Sequence, residues 1–112
     1  MYYEIYSEDK IISKKMKLCD TLLSKSIGFM FNFTKKYDSL ILKSKNTSIH
    51  MIFVFFPLQV AWLNKNFEIV DIKKAYPFMP ILFSRKSSDY ILELKNYKNI
   101  KIGDKIKLKP SL

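Results

Sequence analysis

Residues able to exchange a proton near neutrality are scarce, because His50 is the single imidazole among 112 residues. Acid–base chemistry at pH 7 would have to run through it. A histidine works as a catalytic base only beside a nucleophile or an acid, and no such partner stands near it in the sequence. Hydrolase-type chemistry through His50 therefore ranks third among the readings. Cys19, the lone thiol, would need His50 as a base, or exposure beside Lys14, Lys15 and Lys17, to become a nucleophile. As a small apolar residue it needs neither. Glu93 and Asp104 are carboxylates in a lysine-rich region, and paired-acid glycoside chemistry would require both to flank one cleft. The simpler expectation is that Asp104 orders a Gly-Asp turn and Glu93 pairs with a surface lysine. No catalytic residue is assigned.

Metal and nucleotide chemistry are equally thin. A structural metal site needs several His, Cys or carboxylate ligands at short spacing, which one His and one Cys far apart do not supply. Two glycines, Gly28 and Gly103, are too few for a glycine-rich phosphate cradle. No metal and no cofactor are expected.

Binding chemistry is better represented. Trp62, Tyr76 and Phe78, with His50, supply the residue types that line apolar pockets and interface centres, and they are the expected site for a protein or small-molecule ligand. Lys95, Lys98, Lys101, Lys105, Lys107 and Lys109 face one acid, Asp104, in the last part of the chain. Such a cluster attracts phosphates regardless of sequence, and Tyr2, Tyr3, Tyr90 or Tyr97 could stack on bases. Lysines also guard exposed edge strands against aggregation. Arg85 is the only arginine, so bidentate reading of guanine is scarcely available. Weak, nonspecific nucleic-acid binding is the alternative function.

The elements that must hold these residues are mostly strands. Tyr2 to Tyr6 and Lys10 to Leu18 are β-prone. Asp20 or Thr21 can cap one short α-helix reaching to Phe33, with Leu22, Leu23, Ile27 and Met30 on one face; Gly28 inside it costs about 1 kcal/mol against alanine. Leu40 to Lys43 follows, then Ile49 to Phe56, apolar on both faces apart from His50 and therefore expected at the centre of the core. Pro57 breaks that run. Leu58 to Leu63 and Phe67 to Ile72 form a hairpin across Asn64, Lys65 and Asn66, where asparagine can supply positive φ. Tyr76 to Pro80 is a proline-stiffened loop, Tyr90 to Leu94 a strand, and Gly103-Asp104 a turn into Lys105 to Lys109. That last strand should bury Ile106 and Leu108 and expose its lysines. The sum is a mostly β fold, a compact β-sandwich or partly closed barrel with one short α-helix.

Twenty Lys plus Arg against ten Asp plus Glu give a net charge of +10, and 48% of residues are hydrophobic, enough apolar material for one core. One domain over 1–112 is expected. The opening residues carry Glu4, Glu8 and Asp9 where a secretion signal needs cations, so the expected compartment is the cytoplasm. Ile49 to Leu63, interrupted by His50, Pro57 and Gln59, is too short and broken to span a bilayer as a helix. The lysines of the last strand would repel across a two-fold axis, which favours a monomer.

The succession Ser26-Ile27-Gly28-Phe29-Met30, Ser48 to Leu58, Val60-Ala61-Trp62-Leu63-Asn64, Tyr90-Ile91-Leu92-Glu93-Leu94 and Ile102-Gly103-Asp104 resembles domain of unknown function 192, an uncharacterised family of small prokaryotic and archaeal proteins. The resemblance covers nearly the whole chain, with a core of about 16–109, and implies a compact β-rich barrel or sandwich with a short helix. It brings no established activity and no catalytic residue. Two departures stand out: Gln59 replaces the acid that usually follows the Pro-Leu pair, and Asn96-Tyr97 replace a glycine after the Leu-Glu-Leu strand. On these grounds the chain reads as a member of an uncharacterised family, a non-catalytic binding or accessory module with an unknown ligand.

Overall fold

The computed structural model describes residues 2–19, 38–43, 48–49, 57–76, 82–83, 87–95 and 98–110. They form nine strands: β1 Tyr2–Ser7, β2 Lys10–Cys19, β3 Ser39–Lys43, β4 Ser48–Ile49, β5 Leu58–Leu63, β6 Ile69–Ala75, β7 Leu82–Phe83, β8 Tyr90–Leu94 and β9 Ile106–Pro110. Seven make one mixed sheet in the order β6-β5-β8-β3-β2-β1-β9, and β4 pairs with β7 separately. Within the large sheet β2 and β3 run parallel, while the other neighbours are antiparallel. The expected helix over 20–33 lies outside the described residues.

Among the described residues the sheet is not closed into a barrel. Its two edge strands meet only at their beginnings, through an antiparallel bridge between Glu68 and Lys105. Backbone bonds from Ile69 N to Asp104 O (2.9 Å) and from Ile106 N to Phe67 O (2.8 Å) tie the same point. Beyond that tack, β6 and β9 run in opposite directions, and among the described residues neither pairs with a further strand.

Both faces of the sheet are buried. One carries Ile5, Ile12, Met16, Ile41, Ala61, Leu63, Ile69, Leu92 and Leu94, with Ile100 and Ile106 packed into the same cluster. The other carries Leu40, Leu58, Val60, Trp62, Ala75 and Ile91, all 2% exposed or less. A strand covered on both sides reads as a nearly continuous apolar run, and β5 is that strand, apolar except for Gln59 and buried at all six positions. The sequence assigned this place to Ile49–Phe56. Ser48 and Ile49 instead pair with Phe83 and Leu82 in the small sheet, and 50–56 lie outside the described residues. A short apolar run alone does not distinguish between such placements; β3 and β8 occupy the middle of the large sheet.

The hairpin between β5 and β6 is present, but its turn is built differently from expectation. Asn64 works through its side chain: Oδ1 accepts the N–H groups of Asn66 (2.9 Å) and Glu68 (3.0 Å). The residue with positive φ is Phe67, at 60°. A left-handed phenylalanine is strained, and its ring gains packing in return, 4.5 Å centroid to centroid from Tyr90.

Between β1 and β2 the loop is two residues long, Ser7 pairing with Lys10, and both Glu8 (φ 49°) and Asp9 (φ 68°) are left-handed. That is the signature of a type I′ turn, whose twist matches that of the strands and whose second position favours glycine. Asp9→Gly should therefore raise stability by roughly 1 kcal/mol. A urea midpoint that falls in the variant would show that the Asp9 side chain contributes more than its backbone strain costs.

Candidate functional site

The basic residues fall into two groups. The first lies on β9, where Ile106 is buried and Leu108 half-buried while Lys105, Lys107 and Lys109 point to solvent, the alternation expected of a strand with one buried face. Among the described residues, none of these three ammonium groups has an ion-pair partner. Their neighbours across the strand pair are on β1: Lys107 lies opposite Tyr6 and Lys109 opposite Glu4. Tyr6 is half-buried, has exposed Ile11 on its other side, and donates its hydroxyl to Glu4 Oε1 at 3.3 Å. Glu8 accepts the Lys105 backbone N–H at 3.2 Å. The lysine row is thus a strip along a sheet edge, with one tyrosine beside its middle member, Glu4 at one end, and Glu8 and the bridge partner Glu68 at the other.

The second group gathers at the end of the sheet where β5 begins and β8 finishes. Gln59 lies opposite both Lys74 and Leu94, and its carboxamide clasps the Lys98 backbone, with Nε2 donating to Lys98 O (2.9 Å) and Oε1 accepting Lys98 N–H (2.8 Å). A carboxylate, which the resemblance implies at this position, could accept the N–H but could not donate to the carbonyl, leaving that acceptor unpaired. The loop then crosses the core face, where Ile100 is buried, and ends in a turn closed by Asp104. Asp104 Oδ2 accepts the Lys101 N–H (3.0 Å) and the Ser7 hydroxyl (3.2 Å), so the expected turn-ordering role is observed. Gly103 in the same turn has φ 98°, a conformation that suits glycine.

Lys95 and Lys15 reach the same end of the sheet through Asp38, whose N–H donates to Lys15 O (3.0 Å) and whose carbonyl accepts Lys95 N–H (3.1 Å). The Asp38 carboxylate bonds the hydroxyls of Ser13 and Ser39, which also bond each other. This small polar cluster pins the start of the parallel β2–β3 pair.

Of the aromatic quartet, His50 and Phe78 lie outside the described residues. Trp62 is fully buried, whereas Tyr76 is 55% exposed. They are not neighbours: Trp62 lies opposite Asp71 near the hairpin turn, and Tyr76 follows Ala75 at the far end. Tyr76 instead meets Lys74, whose Nζ stands 5.3 Å from the ring centroid, a cation–π distance. Tyr3 and Tyr90, named as stacking surfaces, are half-buried against the core. Tyr6 went unnoticed because the parity of β1, not residue type, decides which tyrosine stands beside the lysines.

Glu93 departs most from its expected place. It lies between Val60 and Leu40 in the middle of the second face, 7% exposed, and among the described residues no cation or hydrogen-bond donor meets its carboxyl. Burial pushes its pKa up to about 7. The expected pairing with a surface lysine is not observed there, because its parity within β8 turns it onto a buried face. Among the described residues no three His, Cys, Asp or Glu side chains converge as metal ligands, and no helix is long and apolar enough to cross a membrane.

Residues 5–108 match DUF192, described as an uncharacterized ACR. The chain belongs to this family. It is similar to a UPF0127 protein of Thermococcus sibiricus, 31% identical over 108 residues, covering 89% of this chain and 70% of the relative. A UPF0127 protein of Pyrococcus horikoshii is 30% identical over 112 residues, covering 92% and 96%. The fold is also that of a crystallised protein of unknown function from Novosphingobium aromaticivorans, with a TM-score of 0.77 at 17% identity over 96% of this chain and 84% of that one. The DUF192 chain therefore shares both sequence and architecture with relatives for which no specific function is established.

Proposed function

We propose that this DUF192 protein is a non-catalytic binding module whose ligand is an extended polyanion, single-stranded nucleic acid foremost. The observation that carries the reading is the row of Lys105, Lys107 and Lys109, all exposed on one face of an edge strand and free of ion pairs among the described residues. Alternate residues of a strand stand about 7 Å apart, comparable with successive phosphates along an extended single strand. Tyr6 beside Lys107 offers a partial stacking surface. The ammonium row is a set of point charges and suits phosphate, not base-edge recognition.

The module acts in the cytoplasm as a monomer, since paired β9 edges from two copies would bring six like charges together. The test is elution from a phosphocellulose column. Replacing Lys105, Lys107 and Lys109 with Glu should move elution from well above physiological salt to the flow-through, with the circular dichroism spectrum unchanged. A triple variant that elutes with the wild type would reject the reading.

A further inference from the structure

We propose that the end of the sheet where β5, β6 and β8 meet is a second seat for the same ligand, in which Tyr76 stacks on a base and Lys74 and Lys98 hold the adjoining phosphate. The inference rests on the polyanion reading above and adds to it an exposed ring for stacking on bases, where the β9 row has only the half-buried Tyr6. Three features carry it.

Among the residues whose side-chain burial is described, Tyr76 is the one large aromatic on the exposed surface, at 55% exposure. Its ring has the Lys74 ammonium 5.3 Å from its centroid, so a cation and a π-face are presented together, the pair that recurs in single-strand binding.

Lys98 sits on a loop, where a lysine would ordinarily sample many positions, yet its backbone N–H and carbonyl are both held by Gln59. Gln59 in turn lies directly opposite Lys74 across the β5–β6 pair. The backbone positions that carry the two lysines are thereby set relative to each other before any ligand arrives, which lowers the ordering cost of binding.

Among the described residues no carboxylate forms an ion pair with Lys74 or Lys98. Gln59 is neutral, and the Asp38 carboxylate at this end of the sheet bonds Ser13 and Ser39. By contrast, the β9 row has Glu4 and Glu8 beside it. The sheet end is thus the less compensated of the two basic surfaces.

The experiment compares fluorescence anisotropy titrations with a labelled oligothymidylate of twelve residues and with competing inorganic polyphosphate, which has the charge but no bases. The proteins are the full chain, Tyr76→Ala and the triple Lys→Glu variant of β9. Tyr76 is exposed, so its truncation leaves the core untouched. Tyr76→Ala should weaken oligothymidylate binding about tenfold and leave polyphosphate competition unchanged, while the β9 variant should weaken both. If Tyr76→Ala binds oligothymidylate as the wild type does, the second seat is wrong and the β9 reading stands. If the wild type binds neither polymer at physiological salt, both fall.

Discussion

Glu93→Gln should stabilise the protein by about 3 kcal/mol at pH 8 and leave it unchanged at pH 4. The Glu93 carboxyl titrates at about 7 in the folded chain against 4.5 for the ordinary side chain, and burial is the cause. A folded pKa above the unfolded one means that folding favours the protonated form. Below pH 4.5 the group is neutral in both states and costs nothing. Between about 4.5 and 7 the unfolded chain gives up its proton while the folded chain keeps it, so stability falls through that window. Above 7 the loss levels off, at about 1.4 kcal/mol for each pKa unit. Glutamine has the shape of the protonated side chain and no charge to bury. Urea unfolding of both proteins at pH 4, 6 and 8 measures the effect, and parallel stability curves for the two would show that Glu93 is already charged in the fold.

Trp62→Ala should cost about 3–5 kcal/mol, enough to unfold much of a domain whose whole stability is on the order of 5–15 kcal/mol. Trp62 is fully buried on the second face of the sheet, across β5–β8 from Ile91, and its removal leaves a cavity that the paired strands cannot collapse into. The exposed Tyr76→Ala should shift stability by less than about 0.5 kcal/mol. Thermal unfolding of the two variants in parallel checks the contrast. Equal, small losses would place Trp62 at a surface, as a binding residue, instead of in the core.

What was legible in the sequence was whatever depended on local pattern. The alternation of Lys105, Ile106, Lys107, Leu108 and Lys109 stated which face of β9 is buried. The Asn64–Asn66 segment announced the hairpin, and Gly103-Asp104 the turn. The less legible features depend on parity and on what lies opposite. Glu93 reads as a surface acid among lysines until its register with Leu40 and Val60 places it on a buried face. Trp62 and Tyr76 look like neighbours because the chain folds back between them, yet they mark opposite ends of one hairpin. The positive φ that asparagine was expected to adopt falls on Phe67, since the Asn64 side chain takes over the turn's hydrogen bonds and displaces the strain by three residues. The Gln59 clasp on Lys98 joins positions far apart in sequence, and no local signal could have shown it.

The most direct test of the polyanion reading is a salt titration of oligothymidylate binding followed by fluorescence anisotropy, on the wild type and on the triple variant carrying Glu at 105, 107 and 109. Each phosphate neutralised on a single strand adds about −0.7 to the slope of log K against log salt, so losing three contacts should make the slope shallower by about 2. The account predicts micromolar binding by the wild type at physiological salt, with that difference in slope between the two proteins. Equal slopes, or wild-type binding that disappears before physiological salt is reached, would contradict it.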